Sequence, residues 1–141
     1  MDYSELAEAF IEQMHILRRF KPQKTINESM HGEVFMLHKI ATSEVRIIPS
    51  ELSNAMGISG ARIATTLNGL ESKGYITRQI DPSDRRRILV ALTDKGKEKN
   101  EEYQCALNEI TEKMLRLLGE NDAKEYVRIT KKLGKLAGND C

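Results

Sequence analysis

Between Ser4 and Phe20 the apolar residues Leu6, Phe10, Met14 and Leu17 recur at spacings of four, four and three. That pattern makes one apolar face on a helix of 3.6 residues per turn. A polar connector, Lys21, Pro22, Gln23 and Lys24, follows. Met30, Val34, Leu37 and Ala41 then repeat the helical spacing. After a short β-branched stretch, Val45 to Ile47, Pro49 stands where helix starts favour proline, with Leu52, Ala55 and Met56 as the buried side up to Gly57. The next helix is predicted from about Gly60 to Lys73, with Ser59 as N-cap, Ile63, Leu67 and Leu70 facing inward and Gly74 as its stop. Gly57, Ile58 and Ser59 alone separate these two helices, which is the spacing of a helix-turn-helix unit.

The period then changes from 3.6 to 2. Tyr75 to Ile80 and Arg87 to Leu92 read as strands, separated by the charged, turn-forming loop Asp81, Pro82, Ser83, Asp84, Arg85 and Arg86. A hairpin with a basic tip placed directly after a helix-turn-helix is a wing, and Val45 to Ile47 is available as a third small strand. Thr93 caps a long helix carrying Tyr103, Leu107, Ile110, Met114 and Leu117 at alternating spacings of four and three. A last helix carries Tyr126, Ile129, Leu133 and Leu136. These seams resemble heptads more than a broad globular stripe, so a partner subunit is expected to cover them together with Leu6 and Phe10 of the first helix.

The expected fold is therefore mainly α with a small β wing. Residues 1–141 form a single domain in this reading. A winged helix-turn-helix lobe occupies 30–96, and the helices of 1–20 and 97–141 serve dimerisation.

Composition changes this picture in one respect. The chain has 22 basic and 21 acidic residues, a net charge of +1. The balance hides a local excess: residues 60–96 hold seven basic and four acidic side chains, whereas residues 1–59 hold six and eight. Clustered Lys and Arg suit a focused phosphate contact, because releasing condensed counterions rewards clustering. No apolar run approaches the roughly 20 residues of a membrane span. Cys105 and Cys141 offer neither a disulfide framework nor a CxxC spacing, which fits a reducing compartment, and the protein is expected to be cytoplasmic.

On the helix after Ser59, inward placement of Ile63, Leu67 and Leu70 turns Ala61, Thr65 and Asn68 to the opposite side, flanked by Arg62 and Gly69. Arg can donate twice to guanine, Asn can bond adenine in both directions, and Ala or Thr methyls can touch the thymine methyl. Gly60 permits close backbone approach, and Ser50 and Ser59 stand at helix N-termini suited to phosphate oxygens, although simple N-capping explains the serines equally well. Arg85 and Arg86 at the wing tip have the reach and permanent charge to enter an electronegative minor groove.

Asp81, Pro82, Ser83, Asp84, Arg85, Arg86, followed by Val90, Ala91, Leu92, Thr93, Asp94, Lys95 and Gly96, resembles the wing of the MarR family of multiple-antibiotic-resistance-type regulators, as does Leu70 to Ile76 just before it. Arg87 departs from that pattern by extending the arginine pair to three. The resemblance implies an intertwined homodimer, two winged-helix lobes and binding of double-stranded DNA at an inverted-repeat operator. It implies that Asp84 pairs with one wing arginine and leaves the other free, without saying which. It also implies a cavity for a small amphipathic or phenolic effector, for which His15, Met36 and His38 are the candidates.

A sequence-specific transcriptional regulator, expected to be a repressor released by its effector, is therefore the leading reading. A non-specific architectural DNA-binding protein is the alternative; it should show a larger basic excess and no base-reading side chains. No catalytic residue, cofactor or metal site is expected. His31 and His38 lie seven residues apart, too far for a paired ligand motif, and no phosphate-cradling loop or nucleophile pattern occurs.

Overall fold

The computed structural model describes residues 1–43 and 49–139, and these described residues form seven helices and one hairpin. The first helix, α1, spans Tyr3–Leu17, and Asp2 caps it by accepting from the Ser4 amide at 2.8 Å. It contributes no buried residue. The stretch read as a connector is a second helix, α2, over Lys21–Glu28. Pro22 does not interrupt it, because proline in the first helical turn has no intrahelical N–H to lose.

Helix α3 spans Gly32–Thr42 and buries Met36, Leu37 and Ile40. The expected stripe was rotated: Met30 lies before the helix and is exposed, and Ala41 is exposed too. Met36 is completely buried, so it fills the core. Helix α4 covers Pro49–Met56 and buries Leu52. Gly57 follows at a φ of 65°, a left-handed conformation that glycine reaches without a Cβ clash. Ser53 Oγ donates to the Ile58 carbonyl at 2.7 Å, tying the turn to its helix. Helix α5 covers Gly60–Ser72 with Ser59 as N-cap, and buries Ile63, Leu67 and Leu70 as the pattern required.

Two antiparallel strands, β1 at Ile76–Asp81 and β2 at Asp84–Leu92, make the wing. The sequence placed the second strand later, at Arg87. Pairing is regular from Ile76 opposite Leu92 to Ile80 opposite Ile88, and then Asp81 faces Asp84. The register shift leaves Arg85, Arg86 and Arg87 as extra residues on β2, a bulge at the end of the wing. The candidate strand Val45 to Ile47 lies outside the described residues. Val90 from β2 and Ile76 from β1 close the core formed by α3, α4 and α5, with Met56, Ile58, Tyr75, Leu92 and Tyr103 packed on it.

Helix α6 spans Asp94–Leu118 and α7 spans Glu120–Asn139, joined at Gly119. The chain divides into two compact units, Met1–Leu107 and Asn108–Cys141. The first therefore extends beyond the 30–96 lobe at both ends. No helix among the described residues is long and apolar enough to cross a membrane.

Candidate nucleic-acid interface

Burial of Ile63, Leu67 and Leu70 fixes the rotation of α5, so Ala61, Arg62, Thr65 and Asn68 are all exposed on its far side. Thr65 Oγ1 donates back to the Ala61 carbonyl at 3.1 Å, which commits its proton and leaves the oxygen able to accept. A Cβ built on Gly60 would meet nothing within 4 Å, so this end of the helix is open to close approach. Ser59 Oγ accepts from the Arg62 amide at 3.3 Å and is thus engaged as an N-cap. Ser50 is exposed in the first turn of α4.

Asn68 is not free. Arg78 on β1 donates through Nη2 to Asn68 Oδ1 at 2.7 Å and to Glu71 Oε1 at 2.9 Å, while its Nε donates to Glu71 Oε2 at 3.0 Å. This two-point pair ties the wing to α5, and the hydrogen bond from Arg78 holds the Glu71 carboxyl below its ordinary range. Sequence reading missed both residues of the pair. Its available signal was the alternation of β1, which puts the long polar side chain of Arg78 on the same face of the strand as the buried Ile76.

At the wing tip Asp81 Oδ1 accepts from the Ser83 hydroxyl at 2.7 Å and the Ser83 amide at 2.9 Å. These bonds, the hydroxyl's foremost and with help from the charge of Arg87, hold the Asp81 carboxyl below its usual range. Asp84 Oδ1 accepts from the Arg86 amide at 3.0 Å and faces Arg86 Nε at 3.3 Å. Arg86 is therefore the arginine that Asp84 holds, although its side chain is still 91% exposed. Such a pair in open solvent adds little stability, so its effect is to orient the wing. Arg85 is exposed and has no ion-pair partner among the described residues.

The end of the wing sequence has a structural task. The Thr93 amide donates to the Tyr75 carbonyl at 3.0 Å and its hydroxyl to the Gly74 carbonyl at 2.6 Å, while the same hydroxyl accepts from the Gly96 amide at 3.0 Å. Gly96 is buried, and a Cβ there would lie 1.9 Å from the Tyr75 carbonyl oxygen. Thr93 and Gly96 thus seat the start of α6 against the turn after α5.

An open cavity of about 500 Å³ lies between α4, α5 and the wing, lined by Ser50, Ser53, Asn54, Ile63, Leu67, Arg78 and Ile88 among others. The effector candidates are elsewhere: Met36 is core, His15 is exposed on α1, and His38 is half-buried, with no hydrogen-bond partner for its Nδ1 among the described residues. None of the three lines this cavity.

Of the seam residues, Leu6 and Phe10 are exposed on α1, and Tyr126, Ile129, Leu133 and Leu136 are exposed on α7. Leu117 is 80% exposed, whereas Leu107, Ile110 and Met114 are half-buried. Tyr103 departs from the expectation: it packs on the core of its own lobe, with the Lys99 ammonium 5.2 Å from its ring centre.

The sequence profile of the winged helix DNA-binding domain matches residues 34–111, more than half of the chain. The chain belongs to that family. Solved structures share its fold over almost the whole length, and the architecture is that of MarR-type regulators, as the wing sequence implied. YusO from Bacillus subtilis is 26% identical with a TM-score of 0.74, the match covering 96% of this chain and 99% of that one. A mutant of MepR from S. aureus is 24% identical with a TM-score of 0.72, over 96% and 99% of the two chains. A MarR transcriptional regulator from Methanosarcina mazei Go1 is 21% identical, with a TM-score of 0.71 over 97% and 99%.

Proposed function

We propose that this protein is a cytoplasmic, sequence-specific regulator of transcription that binds an inverted repeat in double-stranded DNA as a homodimer, and that it is a binding protein without catalysis. The observation that carries the reading is the exposed row Ala61, Arg62, Thr65 and Asn68 on α5, whose other face is buried in the core, beside a bulge of three arginines. The row has the donors and methyl groups that base edges in a major groove require, and the bulge has the charge that a narrow minor groove attracts. Arg85 is the arginine assigned to that groove, with Arg86 and Asp84 setting its angle. An architectural protein that bends any duplex would have no use for the first of these features.

The apolar faces of α1 and α7 support the homodimer. Phe10 and Leu133 are 64% and 60% exposed in a single chain, and a second copy gives such faces a cover related by two-fold symmetry. Two-fold symmetry in turn predicts half-sites whose centres lie about 34 Å apart on one face of the duplex.

Repression relieved by a small amphipathic or phenolic anion is the mode of control that the lobe supports. The cavity between α4, α5 and the wing is lined by the apolar Ile63, Leu67 and Ile88 and by Arg78. A ligand there would act by favouring one placement of wing against α5, and a hundredfold loss of operator affinity needs about 2.7 kcal/mol of coupling.

The test is selection of duplexes from a random pool at fixed salt, followed by titration of salicylate-like anions into the complex. Enrichment of a palindromic motif is expected. Equal affinity for selected and unselected duplexes would replace this reading with the architectural one.

A further inference from the structure

A guanidinium has five N–H donors and no acceptor, so whichever atom of a carboxamide it touches must be the oxygen. The contact between Arg78 Nη2 and Asn68 therefore fixes which way the amide of Asn68 is turned: Oδ1 is held on the wing at 2.7 Å, and the NH2 group is the end that Arg78 does not engage. Arg78 is itself restrained by the two bonds to Glu71, at 2.9 and 3.0 Å, and its side chain is only 28% exposed. A free asparagine presents either end and can match adenine, accepting from N6 and donating to N7. An asparagine whose oxygen already accepts from a charged donor keeps one further lone pair, but the oxygen is held beside that donor, and the NH2 group is what it offers most readily.

We propose that Arg78 is a positioning residue for base recognition: by holding the Asn68 oxygen, it makes Asn68 read mainly as a donor and so prefer guanine, with acceptors at N7 and O6, over adenine at the base pair it meets. This rests on the sequence-reading function proposed above. It gives the arginine that spans α5 and β1 a use beyond the modest stability that a partly exposed ion pair contributes. Glu71 has the accompanying task of aiming the guanidinium. Its carboxyl, kept below its ordinary range by Arg78, stays charged at neutral pH and keeps that aim. The Arg78 guanidinium takes no part in base contact itself.

The experiment uses the full-length chain and duplexes carrying the selected site with each of the four base pairs substituted in turn at every position of a half-site. Affinities are measured at fixed salt for the natural protein, Asn68→Ala, Arg78→Ala and Arg78→Lys, with thermal melting to confirm that each variant is folded. Asn68→Ala is expected to flatten discrimination at one base pair. At that pair Arg78→Ala is expected to move the guanine-to-adenine preference about tenfold toward adenine, the scale of one bidentate contact, while the ranking at other positions stays the same. Lysine has one donor centre in place of the planar fork, so Arg78→Lys should fall between the two. If Arg78→Ala weakens all duplexes equally and leaves every base ranking unchanged, Arg78 does not orient Asn68 and the inference is overturned. It is also overturned if Asn68→Ala flattens no position. A natural protein that discriminates at no position would instead refute the sequence-reading function, which separates the two failures.

Discussion

Gly96→Ala replaces one hydrogen by a methyl, yet the added carbon would lie 1.9 Å from the Tyr75 carbonyl oxygen and 2.9 Å from its carbonyl carbon. Both are backbone atoms, so no side-chain rotation relieves the contact, and α6 has to move by more than an ångström. Movement is opposed by the Thr93 amide on Tyr75, at 3.0 Å, and by the Thr93 hydroxyl on Gly74, at 2.6 Å. Overpacking of a tight site costs about 1–3 kcal/mol, and each loosened hydrogen bond adds about 1 kcal/mol. Against this, alanine is the better helix former by about 1 kcal/mol. The net expectation is a loss of about 2–4 kcal/mol, or roughly 10 °C in Tm for a chain of this size. Thermal and urea unfolding at equal protein concentration measure it, with Gly134→Ala in α7 as the control, because a Cβ there meets nothing within 4 Å. The control should melt at or slightly above the natural chain. If Gly96→Ala does the same, the close approach of α6 to Tyr75 is refuted.

Arg85→Ala is expected to weaken DNA binding at all sequences and to lower the salt slope of the binding constant by about one, without changing Tm; an unchanged slope would remove Arg85 from the interface. Leu133→Asp places a charge in the exposed apolar face of α7 and should convert a sedimenting dimer into a 16.0 kDa monomer that is still helical. A variant that remains dimeric would show that α7 lies outside the interface. Glu71 and Asp81 both have depressed carboxyl pKa values in the folded state, through Arg78 and Ser83 respectively. Such groups stabilise the fold above their unfolded values and lose that contribution as pH falls through the folded ones, so stability should decline below about pH 4.5 and less steeply in Arg78→Ala.

The sequence alone determined the elements whose signals are local. The period of Ile63, Leu67 and Leu70 set the face of α5, Ser59 and Gly74 set its ends, and the change to alternation at Tyr75 announced the wing. The same local rules failed where two readings compete for one residue. Pro22 reads as a breaker or as a first-turn residue, and α2 was missed; Met30, Val34, Leu37 and Ala41 fit a helical period, but packing chose Met36, Leu37 and Ile40 instead. A period says that a face exists, and only the neighbours say which face is covered.

Tertiary structure decided every pairing between residues distant in the chain or equivalent within it. The charged run from Asp84 to Arg87 contains three chemically identical arginines, and backbone register selects Arg86 for Asp84 and moves all three into a bulge. Tyr103 belongs to a seam by spacing and to the lobe core by contact. The clearest case is Asn68: as a letter it offers a donor and an acceptor, and what it has left to offer depends on a guanidinium ten residues away on another element. Hydrogen-bond capacity is a property of the residue, but its distribution among partners is a property of the fold.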